Sequence, residues 1–253
     1  MFSKITNLAK TVNWLLRADE DSYIIYQPGK VGSSAVEASL KEAGKDVMHI
    51  HQAKSAKVEF LPVNRLSRFK RLRATVYLAF VSWAFRRSGA SVIVIVRNPV
   101  DHLMSLTFHH LDKILYLYFT LEQDTRKHVA FTDILDQAHD SIVNANYSND
   151  WFEQDFLALT GLDSTQLPSS KGYPVSLSCR NRRYLFLRYE DLNDSLEQLS
   201  EFTRLPALSL PQVNASTRKW YAALYQEAKT AYNLRPELQK TLKATRYART
   251  FYH

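Results

Sequence analysis

The sequence predicts an α/β protein in which a parallel β-sheet is flanked by helices, and three observations carry that prediction. Short runs of β-formers, "YIIY" at 23–26, "SVIVIV" at 91–96 and "YLFL" at 184–187, are continuously apolar rather than alternating, as in strands covered on both faces. Segments with apolar residues three and four apart separate these runs, so strands and helices alternate along the chain. The length of 253 residues suits one large core, so a single domain over 1–253 is expected, with a helical C-terminal extension from about residue 214.

In chain order, residues 1–21 read as an opening helix. They lack the apolar stretch and small-residue cleavage site of a signal peptide, which with the single cysteine points to a cytoplasmic protein. After the first strand comes the turn "QPGKVG" and then "SSAVEASLKEAG", helical in spacing with Gly44 as its stop. "DVMHIH" at 46–51 is a second strand. "RATVYLAFVSWAFRR" at 73–87 is a helix with the basic "RLSRFKRLR" ahead of it. It reads either as a buried helix or as an amphipathic one resting on an anionic surface, and its uncharged run of about a dozen residues is too short to span a bilayer.

"SVIVIVRNP" is the third strand, closed by Pro99. Helices are expected over 100–118, 131–145 and 150–159, and the Ser, Pro, Gly and Lys of 160–183 read as a loop. "RYLFLRYEDL" is a fourth strand. "DSLEQLSEFTRL" is a helix capped by Asp194 or Ser195, and two more helices follow in "KWYAALYQEAKTAY" and "PELQKTLKATRYARTFY".

The net charge of +8 suits anionic ligands without choosing among nucleotides, acidic glycans, nucleic acids and membrane surfaces. The lone Cys179 excludes an intrachain disulfide and a cysteine-rich zinc site. Ligand chemistry concentrates in the loop after the first strand. An ordinary nucleotide loop needs G-x-x-x-x-G-K-[ST], but Ile24 stands at its first glycine and Val31 follows Lys30. What remains is Lys30, Val31, Gly32, Ser33 and Ser34 at a strand-to-helix turn. Lys30 is a point charge there, Gly32 allows close backbone approach, and the two serines offer O–H and N–H donors to a phosphate. The alternative is a turn whose serines merely cap the helix. Arg97 closes the third strand and Ser105 follows eight residues later, about two turns into a helix that starts at Pro99. Two anion sites at two strand ends suit a ligand with two separated phosphates.

Together these motifs resemble the sulfotransferases that use 3′-phosphoadenosine-5′-phosphosulfate. "PGKVGSS" is similar to their 5′-phosphosulfate loop and "RNPVDHLMS" to their 3′-phosphate motif, while "YLFLRYEDLNDSLEQLSEFTRL" resembles the strand and helix that follow. More narrowly, "QPGKVGSS", "RKWYAALY" and "ATRYARTFY" resemble bacterial proteins of capsular polysaccharide synthesis, whose Asn-Lys-Trp-Tyr-Ser signature appears altered at 218–222. The resemblance implies a P-loop-type sulfotransferase fold and a donor held by Lys30, Val31, Gly32, Ser33, Ser34, Arg97 and Ser105, with Lys219 and Trp220 as further contacts. It also implies 3′-phosphoadenosine-5′-phosphate as product, no metal and a carbohydrate hydroxyl as acceptor. This chain departs from the pattern at Gly29, which separates proline from lysine, and at Ala35, where cytosolic members carry an adenine-stacking tryptophan. It also lacks their late Arg-Lys-Gly loop, so adenine contacts are unassigned.

For a catalytic base, His49 and His51 lie two apart and face one side of an extended strand. The family resemblance makes His51 the first choice and His49 the second, with Lys30 neutralising charge on the leaving phosphate. Satisfied core histidines, or two ligands of a metal without a third, are the alternatives. His109 and His110 read as acceptor-pocket or surface residues, and Glu190 and Asp191 as ion-pair partners of Arg188 or a paired-carboxylate site. The competing functions are a kinase or nucleotide hydrolase on a degenerate loop and a non-catalytic polyanion binder using residues 65–73. No nucleic-acid partner is expected, and peripheral membrane contact stays open.

Overall fold

The computed structural model describes residues 2–53, 68–125, 130–167, 172–211 and 220–253. Strands β1 (Tyr23–Tyr26), β2 (Val47–Ile50), β3 (Ser91–Val96), β4 (Val175–Cys179) and β5 (Arg182–Arg188) form one sheet in the order β2-β1-β3-β5-β4. β2, β1, β3 and β5 are parallel, and β4 runs antiparallel along the edge of β5. Tyr23 stands opposite both Val47 and Ser91, so β1 is central, and both β1 and β3 are buried along their whole length. The chain leaves β1 for β2 on one side and later returns to place β3 on the other. Adjacent strand ends whose connections diverge leave a crevice at their carboxyl edge.

Around the first three strands lie α1 (Phe2–Arg17), α2 (Ser33–Glu42) and α3 (Arg68–Arg87). After β3 come α4 (Pro99–His109), α5 (Leu111–Thr125) and α6 (Phe131–Ser141). Next is a helix of three parts: α7 (Tyr147–Asp150), a π-helical stretch Trp151–Leu157, and α8 (Ala158–Thr160). α9 (Leu196–Thr203) follows β5, and α10 (Ala222–Ala231), α11 (Pro236–Ala244) and α12 (Arg246–Tyr252) complete the α-helices among the described residues.

Strand alternation sorts the core into two layers. Ile24, Tyr26, Val92, Val94 and Phe186 meet Leu15 of α1, Val81 and Phe85 of α3, Phe152 and Phe156 of the π-helical stretch, and Tyr247 and Phe251 of α12. On the other face Ile25, Ile93, Ile95 and Leu187 meet Val36 and Leu40 of α2 and Leu199 and Phe202 of α9. A third cluster joins α4, α5, α6, α10 and α11 into a helical lobe. No described helix is long and apolar enough to cross a membrane.

Several sequence expectations are corrected. The helix expected over 100–118 breaks at His110, whose N–H caps α4 on Leu106 O and Thr107 O. The expected loop 160–183 contains β4, and the helix expected over 150–159 begins at Tyr147 and is largely π-helical. Ser195 holds the N-cap position of α9, but its Oγ donates to Asp191 O at 2.8 Å instead of capping the helix. The last expected helix divides at Thr245, whose side chain caps α12 by accepting Ala248 N–H. Gly44 does end α2: its φ is 76°, its N–H reaches Lys41 O at 3.0 Å, and Lys45 N–H reaches Leu40 O at 2.9 Å.

The helical lobe contains a buried titratable group. His139 donates from Nε2 to Thr107 Oγ1 at 2.9 Å, while Thr107 gives its own proton to Leu103 O, leaving His139 Nδ1 buried without a partner. Burial chiefly lowers its pKa, to about 4; Asp136 and Asp140 oppose that shift and Arg235 reinforces it. In the unfolded chain the same group titrates near 6.5. Unfolding therefore takes up a proton below that value, and the folded state loses up to about 3 kcal/mol as pH falls from about 6.5 to about 4. Denaturant titrations across this window should show the loss, and His139→Gln should flatten it.

Candidate functional site: the β1–α2 loop and its histidines

The loop from Gln27 to Gly32 owes its shape to three left-handed residues, Gly29 (φ 93°), Lys30 (φ 55°) and Gly32 (φ 74°). Two of the three are glycines, which take a left-handed backbone without a steric penalty. Lys30 holds this conformation with a side chain, at a cost of about 1 to 3 kcal/mol. Side chains from β3 and α4 secure the loop's carbonyls. Arg97 Nη1 donates to Lys30 O at 2.9 Å, and His102 Nε2, from a fully buried ring, donates to Gly29 O at 2.8 Å. At Gly32 a Cβ would run into the Tyr189 ring, so only glycine fits. Gly32 also caps α2 without a side-chain hydrogen bond. Ser33 turns to a histidine instead, so neither serine caps the helix by its side chain.

Gln27 organises the histidines. Its Oε1 accepts Gly29 N–H, which aims its amide nitrogen at His49 Nε2 (2.6 Å) and His51 Nδ1 (2.8 Å). The two rings lie 4.6 Å apart, on one side of the strand end as expected. His49 Nδ1 donates to Glu37 Oε2 at 3.0 Å, and its Nε2 also receives the Ser33 hydroxyl at 3.1 Å. Burial, then the neighbouring His51, lowers the His49 pKa, while the Glu37 carboxylate opposes this. Burial pushes Glu37 up, but the hydrogen bonds from Lys41 and His49 outweigh it and the net shift is down. His51 is exposed, and its main-chain oxygen accepts Trp151 Nε1–H at 2.9 Å. Asp155, on the same π-helical stretch, accepts the Tyr26 hydroxyl and, at 2.9 Å, Ala53 N–H, so the wide helix anchors the segment that carries His51.

Arg97 lies beside the loop because β3 adjoins β1 and ends at the same edge. Its guanidinium carbon sits 4.5 Å above the Tyr189 ring, and its Nε is buried with no hydrogen-bond partner. Tyr247 of α12 clamps the Arg97 main chain from both sides: its hydroxyl accepts Arg97 N–H at 2.9 Å and donates to Arg97 O at 2.8 Å. Burial raises the Tyr247 pKa far above its usual range, keeping that hydroxyl protonated. Lys30 Nζ donates to His109 Nδ1 at 3.3 Å. His102 and His109 are seven residues apart on one face of α4, and Ser105 falls between them on that stripe, on the side turned to the loop.

Lys30, Gly32, Ser33, His49, His51, Arg97 and Ser105 thus gather at the carboxyl edge of β1, β2 and β3, with Ser34 next in line on α2. Val31 is fully buried in the core, which leaves only its main chain for a ligand. Trp220 is 74% exposed and meets Tyr221 edge-on, and Tyr221 in turn packs against Phe108 near the C-terminal end of α4; Lys219 lies outside the described residues. Asp191 pairs with Arg188. Glu190 accepts Asn98 N–H at 2.8 Å and the Tyr252 hydroxyl at 2.9 Å, so the two acids hold the scaffold rather than sharing a proton. Among the described residues no cluster of three metal-ligating side chains occurs. Sequence reading missed Gln27, Glu37, His102, Tyr189 and Tyr247. Glu37 alone left a trace, sitting one turn after Ser33 on the same face of α2. No family model matches the chain, and no curated protein or solved structure is detectably similar to it.

Proposed function

We propose that the protein is a sulfotransferase that moves a sulfuryl group from 3′-phosphoadenosine-5′-phosphosulfate to a hydroxyl of a carbohydrate acceptor, in the cytoplasm and toward a surface polysaccharide. The observation that carries this reading is the bond from Arg97 to the Lys30 carbonyl. It makes two cationic anion-binding candidates, one per strand end, parts of one site. The buried Arg97 Nε without a partner and the α2 start without a side-chain cap both fit a ligand with two phosphates.

In the transfer, the acceptor oxygen forms a bond to sulfur as the bond from sulfur to the bridging phosphate oxygen breaks, and the acceptor's proton must leave. Lys30 neutralises the charge that builds on the departing phosphate, and Arg97 with Ser105 holds the 3′-phosphate. His51 takes the proton on Nδ1, which one Gln27 amide hydrogen vacates while the other stays on His49 Nε2. Glu37 fixes the His49 tautomer, with the proton on Nδ1, so that His49 always presents a bare Nε2 to Gln27.

Titration calorimetry with 3′-phosphoadenosine-5′-phosphate, ATP and an oligonucleotide tests the assignment. ATP lacks the 3′-phosphate and is expected to bind at least roughly tenfold more weakly, the loss of one charge-assisted contact. Tighter binding of ATP would favour a kinase or nucleotide hydrolase. Binding of the oligonucleotide alone, steeply weakened by salt, would favour a polyanion binder.

A further inference from the structure

α3 is apolar on both of its faces. Leu78, Val81, Ala84 and Phe85 point into the core, as a helix flanking a sheet requires. The opposite stripe, Leu72, Val76, Phe80 and Trp83, repeats at intervals of four, four and three residues and is exposed, Leu72 by 62% and Phe80 by 49%. Helices that are apolar all round are normally covered, and a contiguous exposed apolar stripe marks a contact surface.

Charge identifies what covers it. Six cations lie in α3, four in the two turns at its N-terminal end and Arg86 and Arg87 at its C-terminal end, and no Asp or Glu occurs between Glu59 and Asp101. The Arg87 guanidinium rests 4.6 Å from the Trp83 ring, which joins a cation directly to an apolar anchor. α1 packs along α3, is equally free of acidic residues, and exposes Leu16 beside its terminal Arg17. A second copy of the chain, packed antiparallel about a two-fold axis, would bring the Arg68 end of one α3 against the Arg87 end of the other with no acid to offset either. Nucleic-acid bases could stack on Phe80 and Trp83 but would leave the aliphatic Leu72, Val76 and Leu16 facing water. An anionic lipid surface satisfies both features at once: acyl chains take the stripe, headgroups take the cations, and Trp83 sits at the boundary.

We infer that the exposed face of α3, with α1 beside it, docks the protein on an anionic membrane surface. This proposal is independent of the donor assignment. The full chain should float with vesicles of equimolar phosphatidylcholine and phosphatidylglycerol and remain behind with phosphatidylcholine alone. Molar salt should release it, because the headgroup contribution is screened. The double change Phe80→Ser and Trp83→Ser should lower partitioning by about tenfold or more. Arg86→Gln with Arg87→Gln should lower it by about fivefold per charge. Circular dichroism and melting should be unchanged for both, since all four side chains are exposed. Bromine-labelled acyl chains should quench the wild type more than Trp83→Phe, a readout that needs no destabilising change. No flotation, or flotation that the serine and glutamine pairs leave intact, overturns the proposal. So does a dimer in sedimentation that the serine pair dissolves, or oligonucleotide binding that the same pairs abolish without any vesicle binding.

Discussion

His51→Ala is expected to lower turnover by about a hundredfold to ten-thousandfold, the range for a lost general base, while leaving affinity for 3′-phosphoadenosine-5′-phosphate almost unchanged. The separation follows from placement. His51 is held by Gln27, Trp151 reaches only its main chain, and the phosphate-binding candidates Lys30, Ser33 and Arg97 are tied to other partners. Steady-state rates with an acceptor, read beside calorimetry, check it. If His49→Ala abolishes turnover and His51→Ala does not, the role belongs to His49, whose Nδ1 is already committed to Glu37 and whose Nε2 is bare. If neither change matters, the enzyme assignment fails.

Lys30→Ala and Arg97→Ala should each weaken 3′-phosphoadenosine-5′-phosphate by about 1.5 to 3 kcal/mol, roughly ten- to a hundredfold. Ser105→Ala should cost less, because a neutral hydroxyl is the weaker donor. The Arg97 effect should shrink for adenosine-5′-phosphosulfate, which lacks the 3′-phosphate, and an equal loss with both ligands would count against the assignment. Because Arg97 Nη1 also holds the Lys30 carbonyl, the double variant should lose less than the two singles combined. That coupling is measurable in the same calorimetric series.

Much of this arrangement is legible in the sequence, and the rest is hidden for physical reasons. "YIIY" and "SVIVIV" announce buried parallel strands because sheet strands covered on both faces have no polar side to show. That β1 and β3 are neighbours puts Lys30 and Arg97 on one edge, an order that the strand patterns alone do not fix, since consecutive strands are the commoner neighbours and β2 here lies on the other side of β1. "VSLSC" does carry the period of two that marks a half-exposed strand, but it lies in a stretch whose Ser, Pro, Gly and Lys content reads as loop. His110 has no breaker signature, so the division between α4 and α5 is set by packing in the helical lobe. Gln27, His102, Tyr189 and Tyr247 are single residues whose partners are up to 150 positions away. No spacing rule reaches that far. For Trp220, an aromatic beside cations reads as either a binding residue or a packing one, and its 74% exposure with a single ring contact, to Tyr221, among the described residues sets it outside the packed core.

The Tyr247 clamp on Arg97 spans 150 residues of chain. A ribosome makes the loop and β3 early, and at ordinary elongation rates of about 5 to 20 residues per second Tyr247 follows Arg97 by roughly eight to thirty seconds. During that interval the nascent chain carries the whole candidate loop beside a strand end whose main chain still lacks its Tyr247 partner. The candidate edge therefore takes its final form last, once α12 has been made. Released chains ending before residue 246 should be retained less well than the full chain on a 3′-phosphoadenosine-5′-phosphate resin, although the loop motif is present in both.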